Sequence, residues 1–338
     1  MTRGLEIFGV AALLLGAGCG GNAADAFRHG TAKSGLVKLE LPGASANPGP
    51  SLTSRGGLGK SQSALEGDRA FTYDLTRRVT MEVNGWTVAV LDLVKDITDH
   101  PATTVSATQA VWGPYTDALS PNTWRLTVKK TATRVYAYVL EGKAKTAADA
   151  DYVAVLTGNH TQAADAAGNA SDDFGQGSFR LDFSAAKTLP ENDGNSGAIA
   201  FTYSRAAENA VATVDVSIEG FHAKQDPATE LSEAQYHYDA TPGAGGEFRF
   251  HTLANLDSDA TRPALEDLTI ESRWLATGAG RSDLNAEGGD LSAKATVSEC
   301  WDINFVSRFL SVSFDPTKDY GSAATDCATF ITAKFPQG

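Results

Sequence analysis

The sequence predicts a mainly β body: a wide, curved antiparallel meander, open as a half-barrel, around one long amphipathic helix, with a short helix at the C-terminus. Three observations carry this. Residues 79–98 hold a long apolar stripe of helical period. Segment after segment downstream alternates apolar and polar residues with period two, and the last residues return to helical spacing.

In chain order, Arg3 supplies a positive n-region, Ile7 to Leu15 an apolar run of about nine residues, and Gly16-Ala17-Gly18-Cys19 small residues ending in cysteine. That run is well short of the roughly 20 residues that span a bilayer, so residues 1–18 read as a secretory signal peptide. The pattern resembles the lipobox of bacterial lipoproteins, with Gly16 where an aliphatic residue is usual. The resemblance implies that Cys19 is lipid-modified and becomes the new amino terminus of an exported, membrane-anchored protein. Gly20 in place of Asp after it implies the outer membrane, on its periplasmic or surface face. Two or three acyl chains hold stably where a single chain binds marginally. The same residues also fit an ordinary cleaved signal that contains Cys19. Residues 19–67, rich in Gly, Ala, Ser, Pro and Asn, are expected to be anchor and flexible tether, and 68–338 a single β-rich domain.

Val79, Val83, Trp86, Val90, Leu93, Val94 and Ile97 recur at steps of three, four or seven and share one side of a helix. His100-Pro101 ends it, because a residue before proline is pushed out of the helical region. Alternation then marks strands at 124–128, 136–140, 152–156, 179–183, 199–203 and 214–218. Tyr236 and Tyr238 pair with Phe248 and Phe250 across the turn at 242–246, followed by strands at 268–274, 291–297 and 310–314. About eleven or twelve strands make a sheet wide enough that its twist must coil or close it. A membrane-spanning barrel fits poorly: the marked strands are mostly shorter than the roughly 9–11 residues needed, and no aromatic girdle is sustained. At the end, Cys327, Phe330, Ile331 and Lys334 fall at helical spacing behind Ser322, a suitable cap.

The chain carries 28 Lys and Arg against 41 Asp and Glu, a net charge of −13. That sign opposes long-range attraction to phosphate backbones, which argues against nucleic-acid partners. With Cys19 set aside, Cys300 and Cys327 form an even pair in an exported chain and predict one disulfide, worth about 3 kcal/mol in the chain-entropy account. Neither cysteine sits in a CxxC spacing, which makes metal ligation or a redox couple the poorer reading.

No GxSxG, HExxH, Walker A or EF-hand spacing occurs, and no residue set nominates a nucleophile or an acid–base pair. The sequence therefore nominates no catalytic residue, cofactor or metal, and an envelope enzyme with a convergent site, recognised by geometry and not by order, is the third and weakest reading. Asp165, Asn169, Asp172 and Asp173 in the loop 160–177 match no calcium pattern and read as solvated. His237 and His251 lie on neighbouring strands, and His237 is expected opposite Arg249, without a third metal ligand. Trp112-Gly113-Pro114-Tyr115 reads as a packed corner. Two candidate binding regions stand out. One is a rim of charge and indole: Arg273, Trp274, Arg281, Asp283, Asp290, Trp301 and Asp302, among Gly278, Gly280, Gly288 and Gly289. Its plainer reading is a hairpin held by Arg–Asp pairs over packed tryptophans. The other is the helix stripe itself, with Trp86, Val90, Leu93, Val94 and Ile97 lining an interior compartment.

The element order loosely resembles that of half-barrel lipoproteins and carriers of the lipoprotein-localisation type, which hold an acyl chain between sheet and helix. Segments 271–274, 278–281, 288–291 and 299–302 also resemble ones in uncharacterised lipoproteins of large-genome Gram-negative bacteria. The resemblance implies a lipid-anchored binding protein for an apolar, lipid-like ligand or another envelope component. The alternative is a structural or surface-interaction lipoprotein without a small-molecule site.

Overall fold

A computed structural model describes residues 21–43, 65–116, 118–222, 230–256 and 261–335. Its strands follow one another in chain order across an open, antiparallel 14-stranded sheet, and one helix of 29 residues accompanies it. The chain divides into two compact units.

The first unit takes residues 1–38, 85–208 and 218–227. It contains α1 (Gly21–Arg28), α2 (Ser34–Val37) and the second half of α3 (Phe71–Asp99). Its strands are β1 (Thr104–Val105), β2 (Gln109–Tyr115), β3 (Asn122–Ala132), β4 (Val135–Ala144), β5 (Val153–Ala164), β6 (Ala170–Asp182) and β7 (Ser196–Arg205), with the single turn α4 (Phe183–Ala186) between the last two. Tyr136, Tyr138, Phe179, Phe201 and Tyr203 are all buried, and Phe179 stacks on Phe201 at 4.4 Å between ring centroids. Gly158 makes room for this layer, because a Cβ there would lie 2.4 Å from the Tyr138 ring.

Part of the expected tether is folded. Phe27 of α1 sets its ring against the edge of Tyr136 at 6.2 Å, and Leu36 and Val37 of α2 are buried. A few large apolar residues among small ones suffice when a preformed aromatic layer receives them, so composition alone misjudged residues 21–43. Residues 1–20, with the signal and Cys19, and 44–64 of the expected tether lie outside the described residues. The loop 160–177 is also shorter than expected. Strand pairing continues through His160 to Ala164, and Asp165 closes a tight turn by accepting the amides of Ala167 and Asn169 at 2.9 and 2.8 Å.

The second unit takes residues 39–84, 209–217 and 228–338, so that α3 and β8 (Ala212–His222) contribute residues to both. Its other strands are β9 (Glu230–Thr241), β10 (Gly245–Ala254), β11 (Glu266–Leu275), β12 (Gly280–Glu287), β13 (Ala295–Trp301) and β14 (Ser307–Val312), followed by one helical turn, α5 (Ala323–Asp326). Asp239 pairs with Glu247 and His237 with Arg249, as the hairpin alternation requires.

The strands outnumber the eleven or twelve read from alternation because β1 has only two residues, β2 runs through the expected corner at 112–115, and β12 lies inside the glycine-rich stretch. They also run longer than the alternation marks: β3 to β11 have 10 to 13 residues each. Length therefore does not argue against a barrel here, whereas the open order of the sheet does. β13 begins at Ala295, not Leu291, and Phe314 lies beyond β14 and is exposed.

α3 ends at Asp99, one residue before His100-Pro101, but begins two turns before the apolar stripe does. Thr72, Thr76, Thr80, Thr87 and Thr98 are buried beside Val79, Val83, Val90, Leu91 and Val94, while Leu93 and Ile97 sit half-buried at the margin. Thr76 Oγ1 donates to the carbonyl of Thr72 at 2.9 Å and Thr80 Oγ1 to that of Arg77 at 2.9 Å. The hydroxyls of Thr76 and Thr80 are thus satisfied on their own helix, and that of Thr76 also reaches Ser272 Oγ of the sheet at 2.5 Å.

Candidate functional site

The seven residues expected to form one rim belong to four different places. Successive residues of a strand point to opposite faces, so Arg273 and Trp274 cannot address one ligand. Trp274 and Trp301 are buried on the face that α3 packs against in this unit. Trp301 donates its indole N–H to the carbonyl of Gly278 at 2.8 Å. Arg273, Arg281 and Asp283 meet on the other face. The two aspartates hold turns at opposite ends of the strands. Asp290 accepts the amide of Ala264 at 3.0 Å. Asp302 accepts the amides of Asn304 and Val306 and pairs with Arg308 at 2.7 Å. Burial would push the Asp302 carboxyl up, but Arg308 and the two amides outweigh it and hold it below the usual carboxylate range.

Asp283, fully buried, is the hub of its face. It accepts from Arg281 Nε at 2.8 Å, Arg273 NH2 at 3.0 Å, Ser298 Oγ at 2.6 Å and the backbone amide of Lys334 at 2.9 Å. Arg281 carries on to the carbonyls of Phe330 and Ile331 at 3.0 and 3.2 Å. The disulfide Cys300–Cys327, predicted from the even cysteine count, fixes the start of this segment, its two ends 27 positions apart in the chain. The expected helix stops at Asp326, and residues 328–335 carry neither helix nor strand.

Of the interior set, the side chain of Trp86 lies outside the described residues, and Val94 is buried in the core. Val90 lines an apolar pocket of the first unit, together with Trp124, Leu140, Leu156, Leu181 and Phe183. The pocket offers about 50 Å³, and Asp182, Glu191, Asn192 and Asp193 stand among its lining. Ligand pockets are commonly about 300–1,000 Å³, so this one admits a short apolar group and not a whole acyl chain. The sequence pointed to Val90 through its place on the helix. The segment 182–193 gave no signal, because it reaches the pocket only through the turn of α4.

His237 is clamped between two carboxylates: Nδ1 lies 2.6 Å from Asp215 Oδ1, and Nε2 lies 2.9 Å from Asp239 Oδ2. Burial would lower its pKa, but the two hydrogen-bonded aspartates raise it above the ordinary imidazole value. His251 pairs separately with Asp267 at 3.1 Å. Among the described residues, no group of three or more His, Cys, Asp or Glu is arranged to hold a metal ion, and no helix is long and apolar enough to cross a membrane.

No protein-family model, curated protein or solved structure matches the chain.

Proposed function

We propose that the chain is an exported, lipid-anchored cell-envelope protein that acts by binding, and that its ligand presents a short apolar group to the pocket around Val90. The observation that carries the binding role is that pocket, apolar within and flanked by Asp182, Glu191 and Asp193. The lipobox-like run ending at Cys19 supports the anchor. With α1 starting at Gly21, two residues after Cys19, the anchor lies within about 7 Å of the folded body along the chain. Such a protein is held against the outer membrane and not on a long tether. The experiment is native mass spectrometry of the full chain extracted from membranes, with Ala186→Phe as the filled-pocket variant. A retained apolar adduct in the parent and its loss in the variant support the reading. A bare parent that also fails to take up butanol overturns it.

A second reading, an interaction lipoprotein without a small-molecule site, is favoured by the other half of α3. There Thr76 Oγ1 lies 2.5 Å from Ser272 Oγ, and Thr72, Thr76 and Thr80 are almost wholly buried, so helix and sheet are in direct contact. Saturation of the pocket by butanol separates the two readings.

A further inference from the structure

The C-terminal segment 328–335 lies on the charged face of β10–β12. Its main chain supplies most of the contacts. Arg281 takes the carbonyls of Phe330 and Ile331, Arg273 takes that of Thr332 at 3.1 Å, and Asp283 takes the amide of Lys334. Two side chains add to this. Phe330 lies under the Arg273 guanidinium, 5.3 Å from ring centroid to Cζ, and Lys334 Nζ sits in a fork of Glu247 and Glu271, 2.9 Å from each. Glu271 and Asp283 are both almost fully buried, so the fork and the hub are built features of the fold. The arrangement reads an extended backbone, an aromatic ring and a lysine four residues further on.

The segment itself is weakly committed. None of residues 328–335 is buried, and Ile331 is 53% exposed. Little apolar surface therefore opposes its release. When it leaves, Arg273 and Arg281 remain paired with Asp283 and Arg249 with Glu271, so no buried charge is stranded. The Cys300–Cys327 bond limits the movement to the residues after 327. The face also holds unused hydrogen-bonding capacity. Thr269 Oγ1 and Asn285 Oδ1, on residues only 4% exposed, have no hydrogen-bond partner among the described residues. These two residues are cross-strand partners, one step along the same face from Glu271 and Asp283.

We propose that this face is a peptide-binding groove, occupied in cis by the chain's own C-terminal segment and open to exchange in trans with an extended peptide carrying an aromatic residue and a lysine. The cis segment, tethered beside the groove, competes at high effective concentration and sets the threshold a partner must exceed. Burial works against both charges of the fork, yet the ion pairs outweigh it: Lys334 is held above the ordinary lysine range and Glu247 below the ordinary glutamate range.

The test uses the full chain and a fluorescent peptide of residues 328–338, followed by anisotropy. Lys334→Ala in the protein weakens the cis occupant, and the labelled peptide is expected to bind this variant at least about tenfold more tightly than it binds the parent. Glu247→Gln added to that variant, or Lys→Ala in the peptide, should remove the gain. Lys334 is exposed, and an intact disulfide by mass confirms that the variant is folded. Equal binding by parent and variant, or binding indifferent to the peptide lysine, overturns the proposal. The trans peptide is assigned to another protein, because a second copy brings only the identical segment and cannot outcompete the tethered one; sedimentation equilibrium is expected to show the parent as a monomer, and a concentration-dependent dimer overturns that assignment.

Discussion

Glu299 on β13 accepts both the backbone amide of Thr72, at 2.8 Å, and its hydroxyl, at 2.7 Å, so a strand carboxylate caps the first turn of α3 from 227 residues away. The amide of Phe71 also points to it at 3.4 Å. A helix begins with unsatisfied N–H groups and a partial positive charge, and here both are met by a side chain from the sheet.

Glu299→Ala should therefore cost about 2–4 kcal/mol, because it strands buried donors at the helix start. Glu299→Gln should cost less, since its amide oxygen still accepts. Burial, opposed by the donors of Ser307 and Thr72, raises the Glu299 pKa above 4.5 in the folded protein. Stability from this group is complete below the unfolded value and declines as pH rises through the folded one. Urea midpoints of parent and Gln variant should accordingly converge from pH 4 to pH 8; divergence over that range would show the sign to be wrong.

His160 gives the opposite dependence. It is buried with Nδ1 2.8 Å from the Tyr203 hydroxyl. Burial first, and then the positive charge of Lys33, push its pKa from 6.5 down to about 4. A depressed folded pKa contributes stability present above 6.5 and lost as pH falls through 4, roughly 3 kcal/mol in all. His160→Gln should flatten the acid limb of a stability–pH curve while lowering stability at neutral pH. An unchanged acid limb in the variant would show that another group governs it.

Phe27 tests the docking of the N-terminal segment. Its side chain is 3% exposed against Tyr136, so Phe27→Ala should cost about 3–5 kcal/mol locally. Trypsin should spare Arg28 and Lys33 in the parent and cut there rapidly in the variant. Cys19→Ala, by contrast, should leave this protection intact and move the protein from the membrane to the soluble fraction.

The disulfide joins cysteines 27 positions apart in the chain. Its removal in Cys300→Ser/Cys327→Ser should lower stability by about 3–4 kcal/mol in the chain-entropy account. It should also speed cleavage after Lys334, because the last segment then loses its fixed start. A thermal midpoint unchanged by the double substitution would exclude this contribution.

Residues whose signal is local were legible in the sequence. Val214, Val216 and Ile218 announce a strand by alternating with Asp215 and Ser217, and all three are buried. Val79 to Val94 announce a helix, and His100-Pro101 its end. Cys300 and Cys327, an even pair once Cys19 is set aside, announce a disulfide. Alternation alone also implied that Arg273 and Trp274 face opposite ways, which the reading of a shared rim overlooked.

The remainder depended on partners distant in the chain. The early turns of α3 look polar because threonine does, and Thr76 is an inward residue only because Ser272 and its own helix satisfy its hydroxyl. Residues 21–43 look too sparse to fold, yet Tyr136 gives Phe27 somewhere to pack. Residues 328–335 have helical spacing, but Arg281 and Arg273 bind carbonyls that a helix would use for itself. The sequence by itself determined the period of each element, since that depends on neighbours along the chain. Only the tertiary structure decided which polar groups are buried and what holds them, because a buried hydrogen bond exists only once both of its ends are in place.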